Sequence, residues 1–258
     1  ANVGGLVGYR YGGVITDSYA TANPSGGVGS YVGGLVGSQS QNASITNAYA
    51  TGNVTGGSFS YVGGLVGNQS LNASITNAYS TGNVTGGYAA NVAGLVGNNY
   101  NAIITSSYWN KDAVHILDSS PVSYANKKGV GVAYGIDTTI GKTLSELKQQ
   151  PTFTDWDFTS IWAIDNTKDI NSGYPYLLSN IPPSAPPLTY GDINADGTID
   201  ILDVIMASEI AVGNTNYSAE QVLRANVNSK EDITVNIDDV ILITDRAVGC
   251  TTPFPVEQ

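Results

Sequence analysis

The sequence predicts a mainly β protein: a β-solenoid of about four coils of 30 residues, a mixed segment that caps it, and a small α-helical domain at the C-terminal end. Three observations carry this. The phrase Val-Gly-Gly-Leu-Val-Gly occurs at residues 3–8, 32–37 and 62–67, and again as Val92-Ala93-Gly94-Leu95-Val96-Gly97, with successive valines 29, 30 and 30 residues apart. A fixed period of that length marks one supersecondary unit per repeat, stacked on its neighbours. Within each repeat Val, Ile, Thr and Tyr favour strands, and Gly-Gly and Gly-Asn pairs supply turns. Finally, the proline-rich run Ile181-Pro182-Pro183-Ser184-Ala185-Pro186-Pro187-Leu188 reads as a semi-rigid linker, with an acidic, helix-forming composition beyond it. The boundaries are 1–110 for the repeats, 111–180 for their continuation and cap, 181–189 for the linker and 190–258 for the last domain.

Stacking puts equivalent residues above one another at about the 4.8 Å strand spacing. Leu6, Leu35, Leu65 and Leu95 form one apolar column, and Ile15, Ile45, Ile75 and Ile104 another. Tyr19, Tyr49, Tyr79 and Tyr108 form an aromatic ladder, and Asn23, Asn53 and Asn83 are placed to ladder their amides. Gly5, Gly34, Gly64 and Gly94 mark a corner too tight for a side chain. The Gly-Gly-Leu-Val-Gly phrase, followed by Ile-Thr-(Asn/Asp/Ser)-(Ala/Ser)-Tyr, resembles the GLUG repeats of bacterial and archaeal surface proteins. That resemblance implies a secreted or cell-surface location and an adhesive or structural role, with no defined activity.

Charge is unevenly distributed. Residues 1–110 carry only Arg10 and Asp17, so the net charge of −11 comes from the rest of the chain. From Tyr190 onward 12 acids face Arg224, Lys230 and Arg246. This disfavours nucleic acid, whose phosphates need a basic surface, and suits a hard cation. No apolar run reaches the roughly 18–20 residues of a membrane-spanning helix. A catalytic carboxylate pair cannot be assembled on the coils, because the equivalents of Asp17 are Asn47, Asn77 and Ser106. The expectation is a protein that is not an enzyme. Ala1 as first residue suggests a processed precursor. The first coil is expected to present an open strand edge at Val3 and Leu6 that a partner or a removed segment covers. Asn42, Asn53, Asn68, Asn72, Asn83 and Asn216 begin N-glycosylation sequons. Cys250 is the single cysteine and His115 the single histidine, and both read as incidental.

Past Trp109 the period is lost, and residues 111–142 read as loops and irregular strands. Leu144 to Gln150 reads as a short helix stopped by Pro151. Trp156-Asp157-Phe158 and Ile161-Trp162-Ala163-Ile164 read as strands, and Ser172 to Leu177 closes the segment. Its aromatic clusters are expected to pack over the last coil.

The most specific chemical signal is the run from Asp192 to Asp203. Asp192, Asn194, Asp196, Asp200 and Asp203 place side-chain oxygens at loop positions 1, 3, 5, 9 and 12, with Gly197 at 6 and the Thr198 carbonyl at 7, the spacing of a Ca2+ loop. A helix over Val204–Val212 should follow, ended by Gly213. A second, less regular copy lies 36 residues on, where Asp239-Val240-Ile241 repeats Asp203-Val204-Ile205. With two residues inserted, its ligands are Asn226, Asn228, Asp232, the Thr234 carbonyl, Asn236 and Asp239. Without the insertion Lys230 would stand among the ligands, where a dication rejects it.

Two Ca2+ loop–helix units joined by a helix over Ser218–Ala225 resemble a dockerin domain. The resemblance implies two bound Ca2+ ions and a cohesin-like partner. In that family partner-reading residues lie at loop positions 10 and 11, here Ile201, Leu202, Ile237 and Asp238. These side chains either face a partner or pack the domain's own core. The expected role is a non-catalytic extracellular assembly protein, joined by this module to a cohesin-like domain or to the next copy of itself in a head-to-tail polymer. The alternative is a cohesin-anchored carbohydrate-binding or adhesin module.

Overall fold

The computed structural model describes all residues except 135, 167, 169, 183–189, 195–197, 215–216, 218, 229–233 and 250–258. The chain divides into two compact units, residues 1–183 and 184–258. The first is a β-solenoid of about five turns. Its second coil shows the pattern, with strands Tyr31–Gly33, Val36–Ser40, Ser44–Ala50 and Val54–Gly56. Each strand pairs in parallel with its counterparts one repeat away, so Val32 sits between Val3 and Val62, and Tyr49 between Tyr19 and Tyr79. Four parallel sheets result, one along each strip of the coil.

Leu35, Leu65, Leu95, Ile45, Ile75 and Ile104 are wholly buried in one continuous core. Each such side chain contributes about 1.5–3 kcal/mol against its exposed state. A Cβ on Gly34 would collide with the Gly64 carbonyl oxygen, and one on Gly64 with that of Gly94. The glycine column is therefore the point of closest approach between coils, as its spacing predicts.

Amide rows form, in columns other than the expected one. Gln39 donates to Gln69 (3.0 Å) and Gln69 to Asn99 (3.1 Å), all three fully buried. Asn98 donates to Asn68 (2.7 Å) and Asn68 to Ser38 (3.0 Å). Asn23 and Asn53 instead accept from the backbone N–H of Asn53 and Asn83, and Asn83 from that of Val114. The side-chain oxygen there replaces a strand carbonyl where the chain turns a corner. Asp17, Asn47 and Asn77 all lie at left-handed φ (47°, 51° and 52°), a backbone state that Asn and Asp tolerate best among residues with a Cβ.

Further sequence expectations are corrected. The solenoid has about five coils and not four: within its continuation Val130–Ala133, Ile136–Asp137 and Ile140–Lys142 extend the second and third sheets by another coil. Parallel pairing uses backbone groups, so a chain that keeps one apolar anchor, Val130 over Val96, can join the stack without the motif. Leu144–Gln150 contains only a 3-10 turn, Glu146–Lys148, and Pro151 belongs to a second one, Gln150–Thr152. Trp156-Asp157-Phe158 is not a strand; Asp157 caps the following turn by accepting the N–H groups of Thr159 and Ser160.

The aromatic segment does not cover the last coil alone. It lies along the tyrosine strip on the side of the solenoid, where Trp162, Phe153, Trp156 and Leu177 bury Tyr49, Tyr79 and Tyr108. Tyr19–Tyr49 and Tyr49–Tyr79 are stacked at 5.1 and 5.0 Å, whereas Tyr108 meets Phe153 edge-on at 5.1 Å. The Tyr79 hydroxyl donates to the Pro175 carbonyl (2.6 Å) and accepts from Asn171 (2.7 Å). Asn180 reaches the Asp17 carbonyl (3.2 Å), so this segment runs back from the fourth coil to the first.

His115 is not incidental. It is 1% exposed, packs on Trp109 at 5.8 Å, and both ring nitrogens are buried without a hydrogen-bond partner. Burial, reinforced by the Lys127 ammonium, lowers its pKa to about 4.

Two outcomes follow. Gly64→Ala should lower stability by about 3 kcal/mol or more, because backbone and not a movable side chain opposes the new methyl; urea denaturation read by tryptophan fluorescence measures it. The folded state also takes up His115's proton only near pH 4, whereas the unfolded chain does so near its ordinary value of 6.5. The stability this contributes is full above about pH 6.5 and lost as pH falls towards 4, up to about 3 kcal/mol. His115→Leu should flatten that part of the stability-versus-pH curve; an unchanged slope in the variant would contradict this account.

Candidate metal centre and docking face

The second unit is built twice over. α1 (Ile201–Ala211) and α3 (Ile237–Ala247) pack with α2 (Ala219–Ala225) around Ile193, Ala207, Ala225, Val227, Val235 and Ile243. α1 begins three residues earlier than the expected exit helix, because Asp200 acts as its N-cap and accepts from Leu202 N–H (2.8 Å). Asp203 completes the capping box by accepting Asp200 N–H (3.0 Å). The other Asp203 oxygen accepts the N–H groups of Ile193 (2.7 Å) and Asn194 (3.2 Å). One wholly buried carboxylate thereby holds the start of the loop and the start of the helix together.

The second copy repeats each of these bonds. Asn236 caps α3 by accepting from Asp238 N–H (2.8 Å), and Asp239 accepts from Asn236 N–H (2.9 Å). Asp239 also accepts from Val227 (2.8 Å) and Asn228 (2.9 Å). Val227 and Asn228 therefore correspond to Ile193 and Asn194 at an offset of 34, and Asn236 and Asp239 to Asp200 and Asp203 at 36. This is the register with two inserted residues that the sequence alignment requires.

The remaining candidate ligands divide as follows. Asp192 and Asn226 are buried at the loop entrances, and the Asp192 carbonyl accepts from the buried Arg224 guanidinium (3.3 Å). Thr198 and Thr234 are exposed. Asp196 and Asp232 lie outside the described residues, as do Gly197, Ser218, Lys230, Asn216 and Cys250. Among the described residues no three Asp, Glu, His or Cys side chains form a metal cluster by themselves. The candidate set is instead a mixture of carboxylate, amide and carbonyl oxygens, and the Asn228 side-chain oxygen is buried without a hydrogen-bond donor.

The profile of the GLUG motif matches residues 1–23, 28–55 and 60–85. Residues 1–85 carry GLUG repeats. The fourth phrase at Val92 and the fifth coil continue the same stack outside the matched GLUG segments. No curated protein matches the chain. Among solved structures it is similar to that of a candidate immunoglobulin A1 protease from Bacteroides ovatus, with a TM-score of 0.51, 22% identity and 69% of this chain covered. The match spans about half, 53%, of that protein, and at this identity it shows the fold alone.

The positions beside the two loops are exposed. Ile201 is 65%, Leu202 53% and Ile237 66% accessible, and Asp238 is exposed with them. They do not pack the domain's own core. Sequence reasoning missed the rest of this face: Ile205 and Ile241, then Val212 and Val248, are exposed at the same 36-residue offset. Spacings of four and eleven residues from Ile201 and from Ile237 keep them on one side of each helix, a signal readable in the sequence once the helix boundaries are known.

In the GLUG solenoid Leu6 is 49% exposed and Val3 half-buried against the valine column. Of the sequon asparagines, Asn42, Asn53, Asn72 and Asn83 are exposed. Asn68 donates its amide to Ser38, so a glycan there would break a row.

Replacing Asp203 and Asp239 together by alanine should unfold the second unit, since each carboxylate accepts three backbone N–H groups and such charge-assisted bonds are worth about 1.5–3 kcal/mol apiece. The 222 nm circular dichroism of the helices should be lost while the solenoid's cooperative transition remains. Simultaneous loss of both transitions would contradict two separable units.

Proposed function

We propose that this chain is a non-catalytic extracellular assembly protein in which residues 190–248 form a dockerin-like, Ca2+-loaded module that joins the solenoid to another protein. The reading is carried by one observation: Ile201, Leu202 and Ile237 project from the first turns of α1 and α3, beside the two loops, into solvent. Large apolar side chains repeated at an internal offset and kept out of an available core are anchors for a partner. The oxygen-only donor set and the Asn228 oxygen without a donor suit a hard cation. Asp192, Asn194, Asp196, Thr198, Asp200 and Asp203 would hold one Ca2+, and Asn226, Asn228, Asp232, Thr234, Asn236 and Asp239 a second. Bound calcium would neutralise the loop acids and tie each loop to its helix.

The partner is a cohesin-like domain or a neighbouring copy of the chain, with Leu6 and Val3 as the acceptor surface in the second case. A near-neutral solenoid favours the latter, because no like-charge repulsion opposes stacking. A non-enzymatic role is supported by how the two charged groups of residues 1–110 are used. Arg10 donates to the Gly13 and Ser44 carbonyls, and Asp17 accepts from Asn47 (3.0 Å).

One observation favours carbohydrate binding as a second reading. Phe59 is held at φ 58° with its ring 58% exposed, edge-on to the exposed Tyr88 at 5.6 Å, where the neighbouring coils have Gly29 and Ala89. A bulky residue kept in left-handed backbone without core packing in return suits a ring offered to a sugar.

Electron microscopy in Ca2+ and in chelator decides between the partners: filaments that vanish on chelation support polymerisation, and monomers under both conditions leave cohesin docking. Ile201→Asp with Ile237→Asp should abolish either association, each change costing about 2 kcal/mol or more, with helix content unchanged. Helix content and stability that ignore Ca2+ altogether would sink the calcium-loaded module.

A further inference from the structure

The second and third sheets gain a fifth-coil strand and the fourth an antiparallel one, Ser120–Pro121, but the first stops at Asn91–Ala93, with no later strand paired to it among the described residues. The chain fills that place with residues 122–129, including the 3-10 turn Tyr124–Asn126, and leaves a cavity of about 340 Å³. Asn91, Val92, His115, Asn126, Lys127 and Lys128 line it, and none of the residues lining it is acidic.

We propose that this cavity binds a small carboxylate-bearing ligand of amino-acid or monosaccharide size. The volume lies at the lower end of ligand pockets, about 300–1,000 Å³. Its positive charge is built in. The Lys127 ammonium donates to the carbonyls of Lys111 (2.9 Å) and Ala113 (2.6 Å) and lies 5.5 Å from the centre of the Tyr124 ring, which holds it at the wall. Lys128 adds a second cation in an exposed position at the rim. Asp112 is close enough to act on Lys127 electrostatically, but it accepts the Leu144 N–H (2.8 Å) and does not line the cavity. In a chain of net charge −11, with only ten Lys and Arg in all, two of them, Lys127 and Lys128, line this one hollow.

His115 is the second, independent observation. Its ring nitrogens are buried and find no partner in the protein, and leaving such groups unmade is costly. His115 lines the cavity, and a hydroxyl or amide of a ligand bound there would become a partner once the ring turns towards it. A carboxylate would pair with Lys127 and Lys128, the side-chain amides of Asn91 and Asn126 would take further polar groups, and Val92 would pack the stem. This site belongs to the solenoid and is independent of the docking reading.

His115 is the chain's only histidine, so its imidazole gives an unambiguous NMR signal in the full-length protein. Titration with D-glucuronate and with N-acetyl-L-glutamate separates a sugar acid from an amino-acid source. At least one should shift the imidazole resonances saturably, with a millimolar or lower Kd, and the tighter of the two names the source. Lys128→Glu, at an exposed position, should weaken that binding at least tenfold with an unchanged fold. No saturable shift with either carboxylate overturns the proposal. So does an equal shift with D-glucose or sulfate, or an unchanged affinity in Lys128→Glu.

Discussion

Parallel, in-register pairing of one coil on the next is the constraint on which the rest of the solenoid depends. Because Val32 pairs with Val3 and Val62, and Tyr49 with Tyr19 and Tyr79, every residue faces its own counterpart one repeat away. At about 4.8 Å that rule is selective. Leucines and isoleucines fill a core, tyrosines stack, and amides donate to the amide beneath them. Like charges in the same column would repel at every step. The near-absence of charge in residues 1–110 follows from this. The single Asp17 is tolerated because Asn47, and not another aspartate, stands above it and donates to it.

Such a stack is held by backbone bonds along its length but has little to brace its sides. The segment after the coils supplies the brace. Trp162, Trp156 and Phe153 cover the tyrosine strip, and the polar contacts from Asn171, Pro175 and Asn180 reach coils three and one. A single non-repeating stretch thus couples coils that otherwise touch only their neighbours, which makes the unit more cooperative than a bare nearest-neighbour array.

The second unit solves a different problem, closing two loops with very little apolar material. Asp203 and Asp239 each gather three backbone donors, and the small core of Ile193, Ala207, Val227 and Ile243 sits between the two halves. The apolar residues left over are not drawn inward. They stand on the outer sides of α1 and α3 in matching positions, so the internal repeat that builds the core also duplicates the face.

The period alone determined the solenoid, its apolar and tyrosine columns and the glycine corner, because in-register pairing is a one-dimensional rule that repeats along the chain. The offset between the two acidic loops was legible for the same reason. Where the rule has no repeated text, only the tertiary structure decided. Val130 joins a fifth coil through backbone pairing that its sequence does not announce. The aromatic segment lies along a side, because Tyr49, Tyr79 and Tyr108 line up there to receive Trp162, Trp156 and Phe153. His115 is buried by contacts with Trp109, Lys127 and the end of a sheet, none of which its neighbours in sequence reveal. Whether Ile201 and Ile237 are core or surface depended on which side of each helix the carboxylate clamps turn inward. That is a matter of packing between residues 10 or more apart, beyond what local pattern encodes.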